Sequence, residues 1–160
     1  TIQRIKPNVE FGISPFGIWR NKQNDPRGSE TNGLQNYDAL YADILLWMEK
    51  GWIDYVVPQL YWEIGKKVAD YAVLARWWAE HSYGCKVYIG MAPYKLGDPK
   101  GAEAWRKGNE ICRQLRLNET IEGIQGECYF SAQSLLHNKA GIADSLRTTF
   151  YPTYISAPRK

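Results

Sequence analysis

The sequence predicts an α/β fold built from four successive strand–helix units with parallel strands. Short apolar segments suited to strands alternate with longer segments in which apolar residues recur at helical spacing. The loops that follow the strands are aromatic, polar or both, and no Gly-rich phosphate-binding pattern follows any strand. Because barrel sites are built from the loops at the carboxyl ends of the strands, we interpret the chain as half of a TIM (β/α)8 barrel.

The predicted elements follow one another along the whole chain. Strands are predicted over 9–14, 54–61, 86–92 and 124–131. Helices are predicted from an N-cap at Asn36 to a closing Gly51, along an apolar face from Val68 to Ala79, over 102–117 and, after a short helical turn, over 142–150. No linker or low-complexity tract interrupts this order, so residues 1–160 are predicted to form a single domain.

A four-stranded half of a barrel has a physical consequence. It exposes two sheet edges and the apolar face that lines the barrel interior. We therefore expect a partner, either a missing N-terminal half or a second copy of the chain. The alternative is a small open sheet whose helices fold over the exposed face.

Composition excludes several classes of function. The net charge of +3 comes from scattered Lys and Arg, whereas a nucleic-acid-binding protein shows a basic stripe, so no nucleic-acid partner is expected. No apolar run is long enough for a transmembrane segment. The three cysteines lack zinc-ligand or redox spacing, so we predict no metal and no cofactor, with Cys112 and Cys128 as buried free thiols.

Four ordered motifs give the chain a family resemblance. They are FGISPFGIWRN, DYVVPQLYW with DYAVLARWWAE, VYIGMAPYKLGDP, and GECYFSAQSLL with GIADSL. Together they resemble the second half of the glycosyl-hydrolase-like ten family of bacterial β/α-barrel proteins. The resemblance implies the C-terminal half of a barrel hydrolase that acts on a β-linked glycan, with peptidoglycan strands as a candidate substrate. It also implies an exported parent protein, periplasmic or lipid-anchored, whose first half carries acidic residues that this chain lacks.

Two glutamates are the candidate catalytic residues. Hydrolysis of a glycosidic bond generally uses two carboxyl groups that flank the bond. Glu63 directly follows QLYW, where a barrel loop meets its ligand, although an exposed loop glutamate is the simpler interpretation. Glu127 lies near the end of the fourth strand, where a structural hydrogen-bonded role competes with catalysis. If Val9, Phe11 and Ile13 face the helices, strand alternation points Glu10 to the barrel interior. By the same alternation Gln125, Glu127, Tyr129 and Ser131 are predicted to share one face.

Eight residues of the strand ends and loops are predicted to bind substrate: Trp19, Arg20, Asn21, Gln59, Tyr61, Trp62, Tyr94 and Lys95. The aromatic rings would stack on the apolar C–H face of a sugar. Arg20 and Lys95 would donate to a carboxylate of the glycan or orient a catalytic acid. Gln59 and Tyr61 alternate on one face of the second strand and would bond sugar hydroxyls, while a core tyrosine is the alternative for Tyr61.

The sequence therefore predicts a glycoside hydrolase half that supplies the sugar-contacting loops of the site. Two other functions fit the same residues. A non-catalytic carbohydrate-binding module needs the aromatic rings without an acid pair, and a protein-interaction domain would use the aromatic rim as an interface.

Overall fold

The computed structural model describes residues 2–153, and it contains one parallel four-stranded sheet. The strands lie side by side in chain order, each paired in parallel with the next. Their bounds are β1 Gly12–Ile13, β2 Tyr55–Val56, β3 Lys86–Met91 and β4 Ile124–Tyr129. Isolated bridges extend the pairing past β1 and β2 to Phe16 and Gln59. The described chain is thus half of an α/β barrel, as the sequence predicted.

Helices fill each connection between strands. Their bounds are α1 Ile2–Ile5, α2 Asn36–Leu40, α3 Ile44–Glu49, α4 Tyr71–Glu80, α5 Glu103–Arg106, α6 Glu110–Asn118, α7 Ala132–Leu136 and α8 Ile142–Ser145. Short 3₁₀ turns at Pro93–Lys95 and Lys139–Gly141 and a π-helical turn at Leu146–Phe150 complete the elements. Across residues 2–153 there is no helix with the length and apolarity needed to cross a membrane.

Two helices predicted as continuous are each split in two. Tyr41, with φ of 53°, ends α2, and the Asp43 carboxylate then accepts a hydrogen bond from the Leu46 N–H to cap α3. Gly108, with φ of +74°, separates α5 from α6. The predicted N-cap at Asn36 is wrong, because its buried side chain donates instead to backbone carbonyl oxygens of the loop after β1.

The hydrophobic core lies on one side of the sheet. Val56, Val87, Ile89 and Met91 point from the strands to this side and are fully buried. They meet the inner faces of three helices, whose buried residues are Ile44 and Met48 of α3, Leu74, Ala75 and Trp78 of α4, and Ile111 and Leu115 of α6. One continuous core therefore holds the sheet against its helices.

The opposite side of the sheet is open. Glu10 pairs with Lys86 there, which agrees with the predicted inward position of Glu10. The rings of Tyr55 and Tyr88 meet edge to face with centroids 6.0 Å apart. Cys128 lies opposite Gly90 on this side and is exposed, so the prediction that its thiol is buried is wrong. By strand alternation this surface corresponds to the interior of a closed barrel.

Candidate functional site

A cleft of about 400 Å³ lies beyond the carboxyl ends of β2 and β3. Its walls come from the loop after β2, the turn after β3 and the start of α5. The side chains that line it are Trp62, Glu63, Lys66, Tyr94, Lys95, Asp98 and Trp105. Four residues predicted from the sequence therefore meet here: Trp62, Glu63, Tyr94 and Lys95. Carboxyl ends of neighbouring parallel strands lie at one edge, which is why distant parts of the chain converge.

Glu63 presents a largely buried carboxylate to this cleft. Its Oε2 accepts a 2.9 Å hydrogen bond from the Trp105 indole N–H, and its Oε1 lies 3.3 Å from the Lys66 ammonium. Burial raises the pKa of the carboxyl, but the hydrogen bonds from its own backbone, Trp105 and Lys66 together hold that pKa below the usual value. Glu63 is therefore ionised at neutral pH, which suits a base or an electrostatic partner rather than a proton donor.

Lys95 ties the two strand ends together beside Glu63. Its ammonium donates a 2.5 Å hydrogen bond to the Tyr61 carbonyl oxygen and lies 5.6 Å from the centroid of the Trp105 ring. Burial lowers the pKa of this ammonium, which the negative charge of Glu63 partly offsets. Lys95 thus fixes the backbone after β2 while its charge remains at the cleft.

A buried pair on α6 holds the loop that carries Glu63. The Glu110 side chain is fully buried, and its Oε1 accepts a 2.7 Å hydrogen bond from the Ile64 backbone N–H. The Gln114 amide donates to the Trp62 carbonyl oxygen at 2.9 Å and to Glu110 Oε1 at 3.2 Å. Two residues one turn apart on α6 therefore bind the backbone immediately before and immediately after Glu63.

Gln59 and Tyr61, the two polar candidates that follow β2, lie next to this cleft on the open side of the sheet. Gln59 donates to the Ser14 carbonyl oxygen at 3.1 Å and so bridges the ends of β1 and β2. The Tyr61 ring meets Tyr94 edge to face at 6.1 Å, and burial raises the pKa of the Tyr61 hydroxyl. Both residues thus share the carboxyl-end surface with the cleft.

Trp19 does not belong to this surface, which corrects its prediction as a stacking platform. Its side chain is 1% exposed, stacks on Trp77 at 6.1 Å and donates its indole N–H to Asp43. The Arg27 guanidinium lies 5.0 Å from its ring centroid. A ring enclosed in this way has no face for a ligand, so Trp19 is a core residue.

Arg20 and Asn21 instead hold the long loop between β1 and α2. Arg20 forms ion pairs with Asp38 at 2.9 Å and Asp25 at 3.1 Å. The buried Asn21 amide donates to the Gly33 carbonyl oxygen and its Oδ1 accepts from the Gly33 N–H. The polar groups of both residues are therefore used within the loop and by Asp38 of α2, and the predicted substrate contacts of Arg20 and Asn21 have no support in this geometry.

Glu127 lies on the helix side of the sheet, away from the cleft. It pairs in register with the buried Ile89, and its carboxylate accepts hydrogen bonds from the Asn118 amide at 3.1 Å and the Tyr151 hydroxyl at 2.7 Å. These bonds join β4 to α6 and to the segment after α8. The geometry thus favours the structural alternative for Glu127 over the catalytic one.

Two cleft residues were missed from the sequence. Trp105 supplies both a wall and the hydrogen bond to Glu63, and Lys66 supplies the ion pair. Lys66 follows Glu63 by three residues, but both lie in a turn rather than on a helix, so this spacing was not a signal for an ion pair. Trp105 lies in α5, and the predicted continuous helix over 102–117 did not single it out.

The fold and the cleft define an α/β-barrel protein whose candidate site lies at the carboxyl ends of its strands. Within that class, the chain belongs to the family described as Glycosyl hydrolase-like 10, which matches residues 1–107. It is 47% identical over 157 residues to glycosyl hydrolase YngK of Bacillus subtilis (strain 168), covering 94% of this chain and 30% of that protein.

A second relative gives the same picture. The chain is 45% identical over 136 residues to glycosyl hydrolase DigH of Escherichia coli (strain K12), covering 81% of this chain and 31% of that protein. The chain thus spans about a third or less of the length of the curated relatives that it matches. These likenesses establish a glycoside-hydrolase-like protein.

Proposed function

We propose that this chain supplies the sugar-contacting part of the active site of a glycoside hydrolase that cleaves an O-glycosyl bond in a β-linked glycan, such as that of the bacterial cell wall. The observation that carries the proposal is the cleft that joins an ionised Glu63 and the cationic Lys95 to the aromatic faces of Trp62 and Tyr94. Membership of a glycosyl hydrolase-like family supports the chemistry.

The cleft residues have distinct roles in this proposal. Aromatic rings accept the C–H face of a pyranose, because that face is apolar while the hydroxyls at its edge stay hydrogen-bonded. Lys95 donates to oxygens of the glycan. Glu63 remains charged and stabilises the positive charge that develops on the sugar ring in an oxocarbenium-like transition state.

A proton donor is also required, and we propose that it comes from outside this half. The general acid of a glycosidase has a raised pKa so that it is protonated at neutral pH. The pKa of Glu63 is shifted in the opposite direction. The acid would stand about 5–5.5 Å from a carboxylate nucleophile in a retaining enzyme, or about 6.5–9.5 Å from a base in an inverting one.

We further propose that residues 1–160 form a single domain, the C-terminal half of a barrel that a companion half closes. The open side of the sheet, with Tyr55, Tyr88 and Cys128, supports this arrangement. The companion would be the N-terminal half of a longer polypeptide or a second copy of this chain. The family resemblance supports an exported parent protein, periplasmic or lipid-anchored.

Light scattering combined with titration of soluble cell-wall glycan strands tests this function. An assembled barrel that binds glycan and releases reducing ends, with turnover lost in Glu63→Gln, is the expected result. An assembled barrel that neither binds nor cleaves β-linked glycans would overturn it.

A non-catalytic carbohydrate-binding module is the second candidate. It is favoured by one observation, that both Glu63 oxygens already have partners, Lys66 and Trp105. The same titration separates the two functions. A module would bind glycan without turnover, and Glu63→Gln would change its affinity alone.

A further inference from the structure

Three aromatic rings meet beside the cleft, one from the end of each of three neighbouring strands. Tyr61 follows β2, Tyr94 follows β3 and Phe130 follows β4. The Phe130 ring lies nearly parallel to Tyr61, with centroids 6.2 Å and planes 27° apart. Tyr94 meets Phe130 edge to face at 6.1 Å, just as it meets Tyr61. The three residues, termed here the aromatic trio, form one connected surface.

The trio is held in place by lysines that bind its backbone. The Lys95 ammonium donates to the Tyr61 carbonyl oxygen, and the Lys139 ammonium donates to the Tyr94 carbonyl oxygen. Phe130 is fixed to the sheet because its backbone N–H donates to the Met91 carbonyl oxygen at 2.9 Å. The rings therefore stand on a rigid base, which lowers the entropic cost of binding a ligand to them.

Two members of the trio are exposed, while Tyr61 is half-buried and packs against the core. Phe130 is 60% exposed and Tyr94 is 41% exposed, although both are large aromatic residues. Phe130 makes no contribution to the buried core on the other side of the sheet. Its ring has no polar group of its own, so the surface it offers is suited to an apolar face of a ligand.

We infer that the aromatic trio is a second sugar-binding subsite, which takes the C–H face of a pyranose ring and extends the Glu63 cleft. Tyr94 belongs to both surfaces, so the subsite and the cleft are continuous. A ligand that occupies both must contain at least two sugar rings. The inference rests on the proposed function, and it adds that the protein prefers oligosaccharides to single sugars and that Phe130 sets this preference.

Calorimetric titration of the assembled protein with a disaccharide and a tetrasaccharide of β-1,4-linked N-acetylglucosamine tests the subsite. For Phe130→Ala we expect the tetrasaccharide to bind about tenfold more weakly, a loss of about 1.4 kcal/mol, because the aromatic face that would cover the apolar side of a pyranose is removed. The disaccharide should be affected less, because it can bind in the Glu63 cleft without reaching Phe130. Phe130→Trp should restore binding of the tetrasaccharide, because it retains the aromatic face.

Trp52→Ala is the matched control, because Trp52 is 63% exposed but precedes β2, at the opposite end of the sheet. It should leave the affinities for both oligosaccharides unchanged.

Three outcomes would contradict the inference. If Phe130→Ala binds the tetrasaccharide as tightly as the unsubstituted protein does, the subsite is overturned and the proposed function stands. If Phe130→Ala lowers the melting temperature of the assembled barrel but leaves its affinity for the tetrasaccharide unchanged, Phe130 belongs to the interface between the barrel halves. If the unsubstituted protein binds neither oligosaccharide, the proposed function itself fails.

Discussion

The Trp105 indole N–H donates a 2.9 Å hydrogen bond to Glu63 Oε2, so α5 fixes the carboxylate at the mouth of the cleft. A residue beyond the third strand thereby orients a residue that follows the second. With the ion pair to Lys66, this bond keeps both carboxylate oxygens occupied. The carboxylate is therefore oriented before any ligand arrives. In the proposed hydrolase this orientation would serve to stabilise charge in the transition state, and in a binding module it would serve ligand contact alone.

The first prediction concerns the pH dependence of stability. The folded state holds the pKa of Glu63 below its ordinary value of 4.5. A lowered folded-state pKa stabilises the fold above the ordinary value, and that contribution is lost as the pH falls through the folded pKa. Glu63→Gln should thus lower the free energy of unfolding by about 1–2 kcal/mol at neutral pH. The deficit should shrink in acid below pH 4.5.

Urea unfolding at neutral and acid pH measures this effect. Glu49→Gln is the control, because Glu49 is at the surface with Lys50 3.9 Å away, and its neutralisation should have little effect at either pH. A deficit for Glu63→Gln that is the same at both pH values would contradict an electrostatic origin.

The second prediction concerns Glu110. Removing its buried carboxylate in Glu110→Ala leaves the Ile64 N–H without an acceptor, at a cost of about 1–3 kcal/mol in unfolding free energy. The same change loosens the loop that carries Trp62 and Glu63, so glycan affinity should fall as well. Glu110→Gln keeps an oxygen that can accept from Ile64 and should recover most of both losses. If the alanine and glutamine variants behave alike in urea unfolding and glycan titration, Glu110 does not position this loop.

Much of the fold could be predicted because it depends on local patterns. The apolar run of β3 was placed over 86–92 and is observed at Lys86–Met91. The convergence of Glu63 with Lys95 followed from a general property of parallel sheets, whose carboxyl ends share an edge. The helix break at Tyr41 could not be predicted, since a residue other than glycine rarely adopts the positive φ observed there. Gly108, within the predicted helix over 102–117, was an available signal for the break between α5 and α6.

Trp19 shows why part of the candidate site could not be predicted. An aromatic residue just beyond a strand fits both a ligand platform and a core position, and local sequence does not separate them. The partners that decide the matter are Trp77 on α4 and Asp43 at the start of α3, both distant along the chain. Phe130 is the opposite case, an aromatic residue just beyond a strand that is exposed. Local sequence did not distinguish it from a core residue either.

The third prediction separates these two kinds of aromatic residue. Trp19→Ala should lower the free energy of unfolding by about 3–5 kcal/mol, because it empties a fully packed core position. Trp62→Ala should cost less, since Trp62 is only half-buried and lies against Phe16 at 5.3 Å. It should instead weaken glycan binding. Stability and affinity measured on both variants, with Trp19→Phe to retain an aromatic ring, check this. If the folded Trp19→Phe protein binds glycan more weakly while Trp62→Ala binds it normally, Trp19 rather than Trp62 contacts the ligand.

The fourth prediction uses the cysteines to report closure of the barrel. Cys128 lies exposed on the open side of the sheet, whereas burial raises the pKa of the Cys85 thiol to about 11. Because the thiolate is the reactive form, a water-soluble thiol reagent near neutral pH should modify Cys128 well before Cys85.

Mass spectrometry of the labelled protein, with Cys128→Ser to assign the site, should show protection of Cys128 when the barrel is closed. If a second copy closes it, protection rises with protein concentration, because association is favoured by mass action. If the companion is the other half of a longer polypeptide, Cys128 is protected in that polypeptide at every concentration, and this chain alone stays reactive. Rapid modification of Cys128 under all of these conditions would show that the face carrying Tyr55 and Tyr88 is not covered. The half-barrel interpretation of the open side would then fail, since a closed barrel places that face in its interior.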